Sequence, residues 1–190
     1  MTTWGNVEDF KHFLPRLCEL LAINSASGPP IDLTSLMGKL EYANLPEWPD
    51  DERAAVVQFM LALGIDTLSS FPSTISIADV VWAAARTGQN LSSLLESWLT
   101  CVQPAPAQHL AEFVFRIVSS LEPDGTPVAD APKDARKAIR DWLTSADVRT
   151  YLESAFFACE GSVFVRQLSD AEQQLAWLRS LVLQQKSDSD

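Results

Sequence analysis

Apolar side chains recur along this chain at intervals of three and four residues, the spacing that places them on one face of an α-helix. The alternation expected of strands is nearly absent. The first stripe is Val7, Phe10, Leu14, Leu17 and Leu21. Asn6 precedes it as a cap, and Glu8 and Asp9 put negative charge in the first turn, where the helix dipole favours it. Gly28-Pro29-Pro30 closes the element. Asp32 caps a second helix to about residue 43 that buries Leu33, Leu36, Met37 and Leu40. After a turn at 44–49, a third helix over 50–68 opens on Asp50, Asp51 and Glu52. Its middle, from Ala54 through Val57, Met60 and Leu63 to Ile65, is apolar on nearly every side. A helix without a polar face is normally surrounded by others, so this one is expected at the centre.

The pattern continues with helices over 77–87, stopped by Gly88, and over 91–101. A sixth helix is introduced by Pro104 and Pro106 and carries a broad face of Leu110, Phe113, Val114, Ile117, Val118 and Leu121. The stretch 122–132, with Pro123, Gly125, Pro127 and Pro132, is the candidate hinge inside a single domain. Beyond it the spacing predicts helices over 133–143, 146–159 and 170–185. Ser169 and Glu172 form the capping box of the last. Residues 161–165 are the one strand-like run, and a lone strand makes no sheet, so they are expected as a loop. Trp48, Trp98 and Trp142 each stand near a helix end, about 44 to 50 residues apart, close to the period of HEAT-type hairpins. The expected fold class is all-α, about nine helices, either stacked as helical hairpins in an α-α superhelix or gathered in a globular bundle.

Composition changes this picture in one respect. With 47% hydrophobic and 21% charged residues the chain can bury a real core and is not of the disordered class. The net charge of −11, from 25 acids against 14 bases, is spread along its length. Such a field repels phosphate backbones and anionic membrane surfaces, and attracts a basic protein. The N-terminal residues carry acids where a signal peptide needs an apolar core, and the charge-poor run 54–65 is far short of the ~20 residues that span a bilayer. Cys18, Cys101 and Cys159 are too far apart for zinc-ligand spacing and suit isolated thiols of a reducing compartment. The expected location is the cytoplasm.

Candidate chemistry is sparse. His12, Arg16 and Glu19 fall at i, i+4 and i+7 on one face of the first helix, beside Pro15. A proline inside a helix costs about 3 kcal/mol, frees the carbonyl four residues back and bends the axis. The alternative is that Pro15 begins a second helical segment and Arg16–Glu19 is an ordinary surface pair. Lys133, Arg136, Lys137 and Arg140 form the only basic cluster, opposite Ala135, Ile139, Trp142 and Leu143, with Asp134 and Asp141 near enough to balance it. It is either a docking face for an acidic partner or a solvated face. Asp50, Asp51 and Glu52 point in different directions, and the helix dipole accounts for them without a metal. Cys101 and His109 could meet across a turn, but there is no glycine-rich phosphate loop, no HExxH and no GxSxG. No cofactor and no metal are expected.

The segments WGNVEDFKHFLPRLCELL, KLEYANLPEWPDDERAAVVQFM and RDWLTSADVRTYLESAFF resemble a family of uncharacterised bacterial all-helical proteins. The likeness implies a bacterial, helical, cytoplasmic protein and transfers no activity to any residue. The functional expectation is a non-enzymatic protein–protein interaction module, one form of which is an acidic antagonist, of the immunity type, of a basic toxin. The competing expectation is an enzyme or small-ligand binder with a pocket between helices, using His12, Arg16, Glu19 and His109.

Overall fold

The computed structural model describes residues 5–23, 32–87, 91–100, 104–121, 132–159 and 161–187. Among them the regular elements are α1 (Val7–Ile23), α2 (Leu33–Tyr42), α3 (Asp50–Ser69), α4 (Ile77–Arg86), α5 (Leu91–Thr100), α6 (Pro104–Leu121), α7 (Lys133–Leu143), α8 (Ala146–Ala158) and α9 (Val165–Ser187), with a single 3-10 turn at Leu45–Glu47. The expected all-α class is the observed one. The terminators Gly28-Pro29-Pro30 and Gly88 and the candidate hinge, except Pro132, lie outside the described residues.

Local chemistry sets several helix ends. Asn6 N donates to Asp9 Oδ2 and Asp9 N to Asn6 Oδ1, each at 3.0 Å, a reciprocal capping box at the start of α1. Asp32 Oδ1 accepts from Ser35 N at 2.7 Å and Oδ2 from the Ser35 hydroxyl at 2.7 Å. These bonds favour the ionised carboxylate, and they hold the Asp32 carboxyl below its ordinary value. Asp32→Ala is therefore expected to destabilise the protein by about 1 kcal/mol at neutral pH. A carboxylate whose folded value is depressed stabilises above its unfolded value and loses that contribution as pH falls through the folded one. Urea titrations of wild type and variant should thus converge as pH falls through the depressed folded value; a gap that stays constant from neutral pH to the acid limit of the folded state would contradict the role.

Pro15 sits inside α1 on its exposed side, and the helix runs on through it to Ile23. Phe10, Leu14 and Leu21 bury the stripe, and α1 is fastened at Trp48: Phe10 meets that ring edge-on at 6.4 Å, and Lys11 lies 4.5 Å over it while pairing with Glu52 at 2.8 Å.

Two expectations are corrected. The last helix begins at Val165, not at residue 170, so Ser169 lies within it and caps nothing. Gly161, at φ +83°, turns the chain, and Phe164 then starts a stripe with Leu168, Ala171, Leu175 and Leu178 at helical spacing. That stripe overrides the local capping motif, and Glu172 instead pairs with Arg179. The central helix is α6 rather than α3, whose Ile65 is 46% exposed. α6 buries Ala107, Leu110, Phe113, Val114, Ile117 and Leu121, and packs against α3, α4, α7, α8 and α9.

This packing identifies a bundle. In a superhelix of hairpins each repeat touches only its neighbours; here α6 joins elements from both halves of the chain in one core. The tryptophans near the helix ends are clamps, two through the indole N–H and one through its ring. Trp48 Nε1 donates to Ala43 O at 2.7 Å, and Trp98 Nε1 to Pro106 O at 2.9 Å, while Trp142 packs its ring on Trp98 with centroids 5.5 Å apart. No helix among the described residues is long and apolar enough to cross a membrane.

Candidate functional site

The first-helix candidates form a surface strip. Arg16 Nη1 and Glu19 Oε2 are 2.7 Å apart with side chains 64% and 59% exposed, an ion pair of the kind worth about 0.2–1 kcal/mol. His12 is exposed beside them, its ring edge-on to Phe13 at 5.0 Å. On α7, Lys137 pairs with Asp141 at 2.7 Å, and Lys133 is exposed. Arg136 and Arg140 are half-buried, their Nε atoms covered and without an acceptor among the described residues.

Cys101, which the sequence offers as a partner for His109, lies outside the described residues. His109 is 2% exposed, lies 2.9 Å through Nε2 from the Ser70 carbonyl and stands edge-on to Phe71 at 4.9 Å. A carbonyl only accepts, so Nε2 carries the proton, and the ring ties α6 to the chain leaving α3. No group of three or more histidine, cysteine or acidic side chains among the described residues is placed to hold a metal ion.

Among the described residues the clefts between helices include two of about 510 Å³ or more, and none of the seven residues singled out on α1 and α7 lines either. The first, about 510 Å³, runs along α8 from Asp147 past Thr150, Tyr151 and Ser154 to Cys159, against Leu99 of α5 and Pro104 and Ala107 of α6. The second, about 600 Å³, lies between the end of α4, the first turns of α5 and one flank of α7. Its floor carries Ala84, Ala85, Ala135 and Ala138, its wall is Trp142, and its rim carries Glu96 and Asp134. Both sizes fall in the range of ligand-binding pockets, roughly 300–1,000 Å³. What the sequence offered for this cleft was a set of small residues, Ala84, Ala85, Ala135 and Ala138, which name no chemistry.

Cys18 is half-buried in the α1 stripe, and burial pushes its thiol up to about 11. Thiolate is the reactive form, so alkylation of Cys18 at pH 7.5 is expected to run about two orders of magnitude slower than that of a free cysteine, and to accelerate up to about pH 11. Mass spectrometry of the labelled peptide reads this directly. Labelling as fast as free cysteine would remove the thiol from the buried stripe.

Compared with models of known protein families, with curated protein sequences and with solved structures, the chain has no match.

Proposed function

We propose that this chain is a non-enzymatic interaction module whose acidic surface receives a basic protein partner. The observation that carries the reading is how the charges are distributed. Lys11, Arg16, Arg53, Arg86, Arg116, Lys137, Arg149 and Arg179 each lie within ion-pair distance of a carboxylate of the chain itself. Asp51, Asp66, Asp79, Glu96, Asp134 and Asp147 are exposed without such a cation among the described residues. Most of the pairs lie at the surface and add little stability, but they neutralise those eight cations; Lys39, Lys133, Arg136, Arg140 and Arg166 have no such pair among the described residues, and the excess of acid still leaves the carboxylates of α3, α4, α5, α7 and α8 to set the field. Such a field raises association rates with a cationic surface and falls off with salt. A basic toxin is one partner of this chemistry.

The test is capture from a lysate of the source cell on the immobilised full chain, at about 50 and about 300 mM salt. The reading predicts a retained protein of net positive charge that is released at the higher salt and bound less by a variant with Asp51, Asp66 and Asp79 changed to lysine. A partner that is not basic, or one indifferent to salt and to the charge reversals, overturns it.

The 510 Å³ cleft along α8 favours a second reading, a small-ligand binder, because hydroxyls of Thr150 and Ser154, the Asp147 carboxylate and the Cys159 thiol edge a mostly apolar trough. His12, Arg16, Glu19 and His109 take no part in that cleft. On this reading a compound library contains molecules that raise the melting temperature, and Ala155→Trp, which fills the trough, abolishes the shift. A library in which no compound shifts wild type removes this reading.

A further inference from the structure

We propose that the groove between α4, α5 and α7 is the seat of a basic peptide segment of the protein partner, with Glu96 and Asp134 taking its cationic side chains; this rests on the reading that the partner is basic. Three features of the groove converge on that occupant.

The first is charge. Glu96 on α5 and Asp134 on α7 stand on the rim of the same cleft, both exposed and neither in an ion pair among the described residues. Arg86 is the one cation among the lining residues, and its Nε lies 3.6 Å from Glu41 Oε1, so its charge is met from α2. The basic stripe of α7 does not reach the groove. At about 100° per residue, positions 134, 135, 138 and 142 centre on one side of α7, and Lys133, Arg136, Lys137 and Arg140 centre roughly opposite. α7 therefore turns its acidic flank to the cleft and its cations away from it. An anionic segment would meet two carboxylates here, and a cationic one finds both of them free.

The second is shape. The floor is made of alanines, which let the main chain of a bound segment come close, and a volume of about 600 Å³ is of the order a short peptide needs. The third is the wall. Trp142 is held against Trp98, and its indole N–H is buried with no acceptor among the described residues. A buried donor left so is unfavourable. Apolar contact with the indole and pairing at the rim then act on the same segment, the division between buried centre and polar rim usual at interfaces.

The test uses the full chain and a fluorescein-labelled peptide of alternating alanine with lysine or arginine, read by fluorescence anisotropy at about 50 mM salt. Binding should weaken by about 10-fold or more in the double variant Glu96→Lys/Asp134→Lys, and by less than about 2-fold in Asp51→Lys/Asp66→Lys, which makes the same change of charge elsewhere. Ala138→Trp, which fills the groove without altering charge, should weaken it by about 10-fold as well. All five positions are exposed, and unchanged circular dichroism confirms folding. Equal weakening by the two charge variants with no effect of Ala138→Trp overturns the groove assignment and leaves the basic-partner reading standing. A wild type that does not bind the peptide also overturns the groove, while the lysate capture decides the wider reading separately.

Discussion

Replacing Trp98 with alanine is expected to remove about 4–5 kcal/mol of stability, a large share of the roughly 5–15 kcal/mol that a native domain has in total. Trp98 has no exposed surface and stands where α5, α6 and α7 meet. Its ring lies 5.4 Å from that of Phe113 and 5.5 Å from that of Trp142, and its N–H is bound to the Pro106 carbonyl at 2.9 Å. Alanine leaves a cavity lined by large rigid rings that fill space poorly by relaxing, so the loss belongs at the upper end for such truncations. Trp98→Phe keeps most of the apolar volume and gives up the hydrogen bond and part of the ring, for a loss of about 1–2 kcal/mol. Urea denaturation of the three proteins measures both values. A loss below about 2 kcal/mol for alanine would mean that the helices close over the gap, and that the junction is not the rigid centre described. Trp142 loses its support in the alanine variant, so peptide binding in the groove should weaken with it.

Gly64→Val is expected to destabilise by about 3 kcal/mol, whereas Gly38→Ala should stabilise by about 0.5–1 kcal/mol. Both glycines lie inside helices, and their surroundings account for the opposite signs. At Gly38 of α2 a Cβ would meet nothing within 4 Å, so alanine brings only better helix propensity. At Gly64 of α3 a Cβ would stand 2.4 Å from Leu94 Cδ1 and 3.4 Å from Val80 Cγ1. Leu94 is 1% exposed and Val80 fully buried, so the leucine can swing aside only into packed neighbours. Leu94→Ala alone should cost about 2–5 kcal/mol, and the double variant less than the sum, because the new methyls occupy the vacated space. Strict additivity in thermal or urea melts would show that α3 and α5 do not meet as described.

Much of the helix inventory was legible because helix formation is local. The stripe of α1, the Asn6 and Asp32 caps and the span of α7 each follow from residues within a few positions of one another. Where two local signals competed the weaker one misled: Ser169 with Glu172 reads as a capping box, yet the apolar period from Phe164 to Leu178 carries the helix five residues further back. Spacing alone put His12, Arg16 and Glu19 on one face and gathered the α7 cations, but it could not say whether either set borders a cleft; among the described residues, neither set lines the clefts along α8 and between α4, α5 and α7.

By itself, then, the sequence determined an all-helical chain with a strong excess of acid, since periodicity and charge are sums over neighbouring residues. Only the tertiary structure decided that α6 is the centre, that Trp98 and Trp142 share one stack, and that Glu96 and Asp134, 38 positions apart, face the same groove. Those facts depend on which helix faces which. That choice is made by the fit of whole apolar faces, of α3 against α5 where Gly64 meets Leu94 and of α6 against α9, and no short window of the chain contains it.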